Sequence, residues 1–236
     1  MRIIDCGIAV LFGIAASVWI GLTPSLLGAQ GASGARNTTS EASAASLPKD
    51  VDPATGNRFP KAKREELDEL GKKLFDAMPP GARGGPSSIR IYSPPVAEAM
   101  QMENDYLRIQ SGMDPQIKEL AILTTVREMN SQYVWTSHEP QARSAGLPQE
   151  VIDVIKHRKP LTGLGEKETV IIQLGREAVG QQKVSSETFA RAWKLLGRRG
   201  LVNVVALMGN YAANAILLNA FDQHLNPGVT PLLPIP

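Results

Sequence analysis

Glu119 and His138 are the two residues whose types and setting best suit proton-transfer chemistry. Helical spacing places Glu119 on the same face as Ile122, Leu123 and Val126, so a carboxylate lies on an otherwise apolar stripe. His138 shares its own face with residues at spacings of three and four, namely Ser131, Val134, Trp135, Ala142 and Ala145. A carboxylate and an imidazole in apolar surroundings could form a general acid-base pair.

Two consecutive helices must bring these residues together. Asp114 is a predicted N-cap with Pro115 at the first helical position, and a second helix runs from about Ser131 to Ala145 and ends at Gly146. Helices joined by such a short turn pack antiparallel, so Glu119 and His138 could face each other. Two other interpretations stay open: a hydrogen-bonded core histidine, and a structural ion pair between Glu119 and Arg127 or Arg143.

The rest of the chain also predicts helices, so the fold class is all-α. Further helical segments are expected over 60–78, 93–111, 147–157, 166–179, 185–196 and 201–225. The last segment is apolar on almost all sides, which predicts burial in the domain centre or between subunits. A membrane span is the alternative, although its polar residues would be costly in lipid: Asn203, Asn210, Asn214, Asn219 and Asp222.

The N-terminal region differs in composition from this helical part. Residues 1–31 contain an apolar run followed by small residues, which predicts a signal peptide or a membrane anchor. Residues 32–58 are rich in Ser, Ala, Gly and Thr and predict a disordered tether. The helical domain is expected over 59–226, with a proline-rich tail over 227–236. An exported protein, periplasmic or secreted, is the expectation, and a membrane-anchored protein is the alternative.

Composition disfavours several classes of function. The 25 Lys and Arg residues nearly balance the 23 Asp and Glu residues, so no basic field suggests a nucleic acid partner. Cys6 is the single cysteine and lies in the N-terminal apolar run, which leaves the helical part without disulfide, thiol or cysteine-metal chemistry. No HExxH motif is present, so no metal is expected.

The segment KELAILTTVREMNSQYVWTSHEPQARSAGLPQEVIDVI resembles the core motif of the carboxymuconolactone decarboxylase and AhpD-like family. In that family a glutamate is followed nineteen residues later by a histidine, and Glu119 and His138 match this spacing. The resemblance implies an AhpD-like orthogonal helical bundle that assembles as a homo-oligomer, a trimer or a hexamer. It also implies a small-molecule substrate and chemistry without a cofactor.

Two departures from the family pattern narrow the expected activity. The peroxidase branch has a CxxC pair where this chain has Ser131 and Val134, so thiol peroxidase activity is not expected. The decarboxylase branch usually reads Tyr-Glu-Trp ahead of the histidine, where this chain has Tyr133-Val134-Trp135.

These observations lead to two functional hypotheses. In the first, the protein is a lyase or isomerase acting on a small carboxylated lactone or oxo-acid, with Glu119 and His138 as catalytic residues. The candidate substrate-binding residues are then Tyr133, Trp135, Arg127 and Ser131, with Arg127 or Arg143 as the cation for a substrate carboxylate. In the second, the protein is a non-catalytic oligomer that binds a ligand or has a structural role.

Overall fold

The computed structural model describes residues 47–78 and 84–235, so the predicted signal or anchor segment and residues 32–46 of the tether lie outside the described residues. Within those two ranges the fold is all-α, as predicted, with eight α-helices and no strand. The helices are α1 Glu69–Ala77, α2 Pro86–Arg90, α3 Pro94–Asp105, α4 Pro115–Glu128, α5 Gln132–Ser144, α6 Gln149–Lys156, α7 Glu166–Gly175 and α8 Ser186–Ala220. π-helical turns, Tyr106–Gln110 and Arg176–Gly180, follow α3 and α7.

Helix α4 lies at the centre of the domain and packs on α5, α7 and α8. Every residue from Glu119 to Arg127 is buried, so the helix contacts neighbours on all sides. Its start is as predicted: the Asp114 carboxylate accepts hydrogen bonds from the amides of Gln116 and Ile117 at 2.8 and 3.1 Å. This N-cap fixes the register that carries Glu119 into the interior.

Helix α5 returns along α4 after a turn of three residues. Asn130 takes a left-handed φ of 49° in this turn, a conformation that asparagine tolerates better than most residues. The helix ends before Gly146, whose φ of 84° is the left-handed C-terminal conformation predicted from the sequence. The short turn forces α4 and α5 together, which determines where His138 lies.

Gly175 allows helix α7 to approach α4 closely. A Cβ atom built at position 175 would lie 2.6 Å from Cγ2 of Thr124 and 3.3 Å from Cε of Met208. Any side chain at this position would therefore push α7 away from α4, α8 or both. The close packing of these three helices depends on a glycine, which has no side chain, at position 175.

Helix α8 contains the break expected between its two predicted segments. Gly197 has φ 66° and ψ 178°, which interrupts the helix, and Ser185 caps its beginning by accepting a hydrogen bond from the Thr188 amide. The helix ends at Ala220, earlier than the expected 225, because Asp222 takes a left-handed φ of 51°. By length and composition α8 could cross a membrane, and half of its most apolar window is buried within the protein.

The chain on either side of the helical bundle packs against it. Asn57 is fully buried and its side chain donates hydrogen bonds to Ser88 Oγ and Gln223 Oε1. Residues 51–58, predicted as the end of the tether, therefore form an ordered turn, because Asn57 provides polar contacts that composition does not reveal. In the tail, the Leu232 and Leu233 amides donate to side chains of α5, and Leu233 is buried.

The elements before α3 differ in their bounds from the sequence prediction. In the predicted range 60–78, Arg64–Glu66 form a short 3₁₀ helix, and the α-helix begins at Glu69, where the Asp68 side chain caps it by accepting the Gly71 amide at 2.7 Å. The stretch before Ser93, expected as a loop, contains the short helix α2 with Pro86 at its first position.

Candidate active site

Glu119 and His138 are in contact in the folded chain. Oε2 of Glu119, in the second turn of α4, lies 2.9 Å from Nδ1 of His138 on α5. Both residues are buried, with 3% and 6% of their surfaces exposed. An ionised Glu119 carboxylate can only accept, so Nδ1 of His138 donates and Nε2 is left for a second partner.

Tyr211 of α8 provides that second partner. Its hydroxyl lies 3.2 Å from Nε2 of His138, and the two rings are perpendicular with centroids 5.0 Å apart. Burial raises the pKa of Tyr211 far above its ordinary value of 10 and outweighs the nearby Arg108 charge, which acts in the opposite direction. The hydroxyl therefore stays protonated and can donate to a neutral His138. The three side chains form one hydrogen-bonded series from α4 through α5 to α8.

This series ends at a cavity of about 210 Å³ between α2, α3, α5 and α8. The cavity is smaller than pockets for drug-sized ligands, which begin at about 300 Å³. Most of its lining residues have polar side chains, and the lining consists of Pro86, Ser87, Arg90, Gln101, Asn104, Arg108, Tyr133, Val134, Ser137, His138, Tyr211 and Asn214. A small polar molecule in this cavity would meet His138 and Tyr211 directly.

Two arginines give the cavity a positive charge. Arg90 ends α2 and Arg108 lies in the π-helical turn after α3, and no carboxylate is part of the described lining. Burial lowers the pKa of Arg90, since a guanidinium loses hydration there. The cavity therefore combines an imidazole with two cations.

Tyr133 is the one predicted substrate-binding residue that lines the cavity. Burial raises the pKa of its phenol, so it too remains a hydrogen-bond donor. Gly85 makes room for its ring: a Cβ atom at Gly85 would lie 2.8 Å from the Tyr133 hydroxyl, and the φ of 71° there also favours glycine.

The structure places the other three predicted substrate-binding residues away from this cavity. Trp135 is fully buried and donates from Nε1 to Glu139 at 2.5 Å. Arg127 lies at the far end of α4, where it donates to Asn130 Oδ1 at 2.6 Å. Ser131 is the buried N-cap residue of α5. None of the three lines the cavity, because the expectation rested on nearness in sequence, whereas the cavity is formed by distant segments.

Arg143, the other predicted cation for a substrate carboxylate, also lies elsewhere. It forms an ion pair with Glu139 and a hydrogen bond with Gln149.

Sequence reasoning missed Tyr211, Arg90 and Arg108, although Tyr211 and Arg90 each carry a local signal. Tyr211 is the single tyrosine of α8 and lies in its apolar second half, where a buried hydroxyl needs a hydrogen-bond partner. Arg90 lies between the buried residues Ile89 and Ile91, so a charge interrupts a core segment. Such signals indicate that a partner exists but do not identify it.

A larger, open cavity of about 560 Å³ lies beside the kink in α8, and its lining is almost entirely apolar. It includes Phe189, Trp193 and Val202, with Arg198 as its one charged residue. This lining offers no pair for acid-base chemistry. Across residues 47–78 and 84–235, no group of three His, Cys, Asp or Glu side chains is arranged to hold a metal ion.

Comparison with known proteins adds no direct assignment. No protein-family model matches this sequence, and no curated protein matches it. The function of the chain is therefore inferred from the cavity and its residues.

Proposed function

We propose that this protein is a cofactor-free lyase or isomerase that acts on a small carboxylated lactone or oxo-acid. The observation that carries the proposal is the buried series Glu119–His138–Tyr211, which ends at a small cavity with two arginines. The resemblance of the α4–α5 segment to the carboxymuconolactone decarboxylase and AhpD-like family supports the same reaction class and a bundle of that type.

In this proposal His138 transfers the proton. Glu119 accepts the Nδ1 hydrogen, which fixes the tautomer and stabilises the imidazolium that forms when Nε2 takes a proton. The proton would come from a substrate carbon next to a carbonyl, leaving an enolate, or it would be returned to an enolate formed by loss of carbon dioxide. The Tyr211 hydroxyl, moving from Nε2 to the substrate oxygen, would stabilise that enolate by donating a hydrogen bond.

A second candidate is a ligand-binding protein without catalysis. The observation in its favour is that both ring nitrogens of His138 already have partners within the protein. His138 could act as a base only after Nε2 exchanged its hydrogen bond with Tyr211 for a contact with the substrate. In this case the series would hold α4, α5 and α8 together, and the cavity would bind a ligand without changing it.

The proposal includes a homo-oligomer. Apolar residues on one side of α8 are exposed, with Val202 at 66%, Val205 at 42% and Ile216 at 58%. An apolar surface of this kind is typical of a subunit contact. Light scattering at micromolar concentration would test the assembly, and a strict monomer would contradict it.

To test this function, the full chain is incubated with γ-carboxymuconolactone and related lactones and oxo-acids. Carbon dioxide release and products are followed by NMR. We expect turnover that falls by about 10²–10⁴-fold in His138→Ala, the range for loss of a general base. His157→Ala is the matched control, because His157 is exposed at the end of α6. Turnover unaffected by His138→Ala, or no turnover of any compound by the folded protein, would favour the ligand-binding candidate.

A further inference from the structure

Arg90 and Arg108 reach the same cavity from two separate elements. Neither follows from the α4–α5 segment that carries the family resemblance, because Arg90 belongs to α2 and Arg108 to the turn after α3. The cavity thus has a proton-transfer side formed by α5 and α8, and a cationic side formed by the N-terminal helices.

The contacts of these two arginines are unlike those of many other arginines in the described residues. Five others form ion pairs with carboxylates: Arg58, Arg64, Arg143, Arg158 and Arg191. Arg90 and Arg108 form none with any described carboxylate, and their side-chain partners are neutral. Arg90 contacts Ser87 Oγ at 3.4 Å, and Arg108 donates to Gln141 Oε1 at 3.1 Å.

Each of the two guanidinium groups also has an unused donor. Nε of Arg90 and Nε of Arg108 are shielded from solvent and hydrogen-bond to no described residue, and the same holds for Nε of Arg127 away from the cavity. Buried donors are normally paired, so these two guanidinium groups keep unused hydrogen-bonding capacity beside the cavity. Two carboxylates beside the cavity bond to its lining residues: Glu119 through Oε2 to His138, and Asp105 through Oδ1 to Gln101.

We infer that Arg90 and Arg108 bind a carboxylate of the substrate, and that this carboxylate is retained during the reaction. The planar fork of a guanidinium matches a carboxylate with two parallel hydrogen bonds. A firm hold on a carboxylate that leaves as carbon dioxide would stabilise the ground state rather than the transition state. The retained group therefore lies at the cationic side, and the reacting carbon lies toward His138 Nε2.

This inference rests on the proposed function, because it assigns the substrate class for the same cavity. A substrate that loses carbon dioxide here would carry two carboxylates, one that leaves and one that is held. A substrate that is only isomerised needs one carboxylate. Neutral lactones and esters would lack the group that the arginines recognise.

The experiment measures binding rather than turnover. Glutarate, its neutral diamide and inorganic phosphate are titrated into the full chain by calorimetry, with circular dichroism to check folding. The variants are Arg90→Gln, Arg108→Gln and Arg108→Lys, which keeps the charge without the fork. Arg198→Gln is the matched control, since it removes the same charge beside the apolar cavity of α8.

We expect glutarate to bind and the diamide not to bind, with affinity falling about tenfold or more in each glutamine variant, as for loss of a charged hydrogen-bond donor. Arg108→Lys should weaken binding by less, and Arg198→Gln should leave it unchanged. Unchanged affinity in the folded glutamine variants, absence of glutarate binding, or equal binding of phosphate would overturn the inference. If the parent protein turns over none of the tested compounds, and glutarate still binds to it and to His138→Ala, the carboxylate site would be supported and the proposed reaction refuted.

Discussion

Glu119 and Glu139 are buried carboxylates on the paired helices α4 and α5, but their surroundings differ. Glu139 is fully enclosed and accepts from the Trp135 indole, Arg143 and Lys156, the last at 2.8 Å. Glu119 has one described side-chain partner, His138, which lines the cavity and contacts Tyr211 through its other ring nitrogen, Nε2. A carboxylate satisfied by two cations holds the structure together, whereas a carboxylate bound to a titratable group can support proton transfer.

The largest effect expected from this comparison is on turnover. Glu119→Gln keeps the size of the side chain but removes the charge that stabilises a His138 imidazolium. We expect kcat to fall by about 10²–10⁴-fold, because His138 loses its orienting anion. Steady-state kinetics on a compound that the parent turns over would measure the change. If Glu139→Gln, in folded protein, reduced kcat as much as Glu119→Gln does, the distinction between a structural and a catalytic carboxylate would be wrong.

The next effect concerns stability. Glu139→Gln leaves the Lys156 ammonium, whose side chain is only 14% exposed, without its carboxylate. We expect the free energy of unfolding to fall by about 3 kcal/mol, as when one partner of a buried pair is removed. Urea denaturation would measure it. Glu166→Gln is the control, because its pair with Arg191 is exposed. Equal midpoints for the two variants would show that Glu139 is not structural.

Glu177 is a third buried carboxylate, and it forms no ion pair with any described residue. Burial alone would raise its pKa, but hydrogen bonds donated by Gln173, the Ser185 amide and the Thr188 hydroxyl outweigh burial and lower the pKa below 4.5. A lowered folded-state pKa stabilises the protein above the unfolded-state value, and that contribution disappears as the pH falls through the folded-state value.

The smallest expected effect follows from this pKa shift. The stability difference between the parent and Glu177→Gln should be constant from neutral pH down to about pH 5 and should shrink below about pH 4.5. Thermal or urea unfolding over this pH range would measure it. A difference that grew on acidification would mean that the pKa of Glu177 is raised in the folded protein.

The sequence predicted the parts of this fold that depend on local signals. The start of α4 at Asp114 and Pro115, the end of α5 at Gly146 and the break before residue 201 each follow from one or two residues. Glu119 and His138 could be paired in advance because one short turn joins their helices. The turn at 51–58 could not be predicted, since Asn57 is held by Ser88 and Gln223, which are distant in sequence.

The candidate site shows the same division between local and distant contacts. Its α5 residues, His138 and Tyr133, were anticipated from the pattern of one helix. Tyr211 reaches His138 across 73 residues, and Arg90 and Arg108 come from elements before α4. A periodicity shows that a side chain points inward, but tertiary packing determines which other segments meet it there.

The close approach at Gly175 has a consequence for how relatives of this chain would be interpreted. Glycine at this position is required by the packing of α7 against Thr124 and Met208, although it contacts no residue of the cavity. Selection for a stable fold would therefore act against any side chain at position 175, whatever His138 does. Invariance across an alignment would give the two positions equal weight, and only the three-dimensional contacts would separate a requirement of folding from a requirement of chemistry.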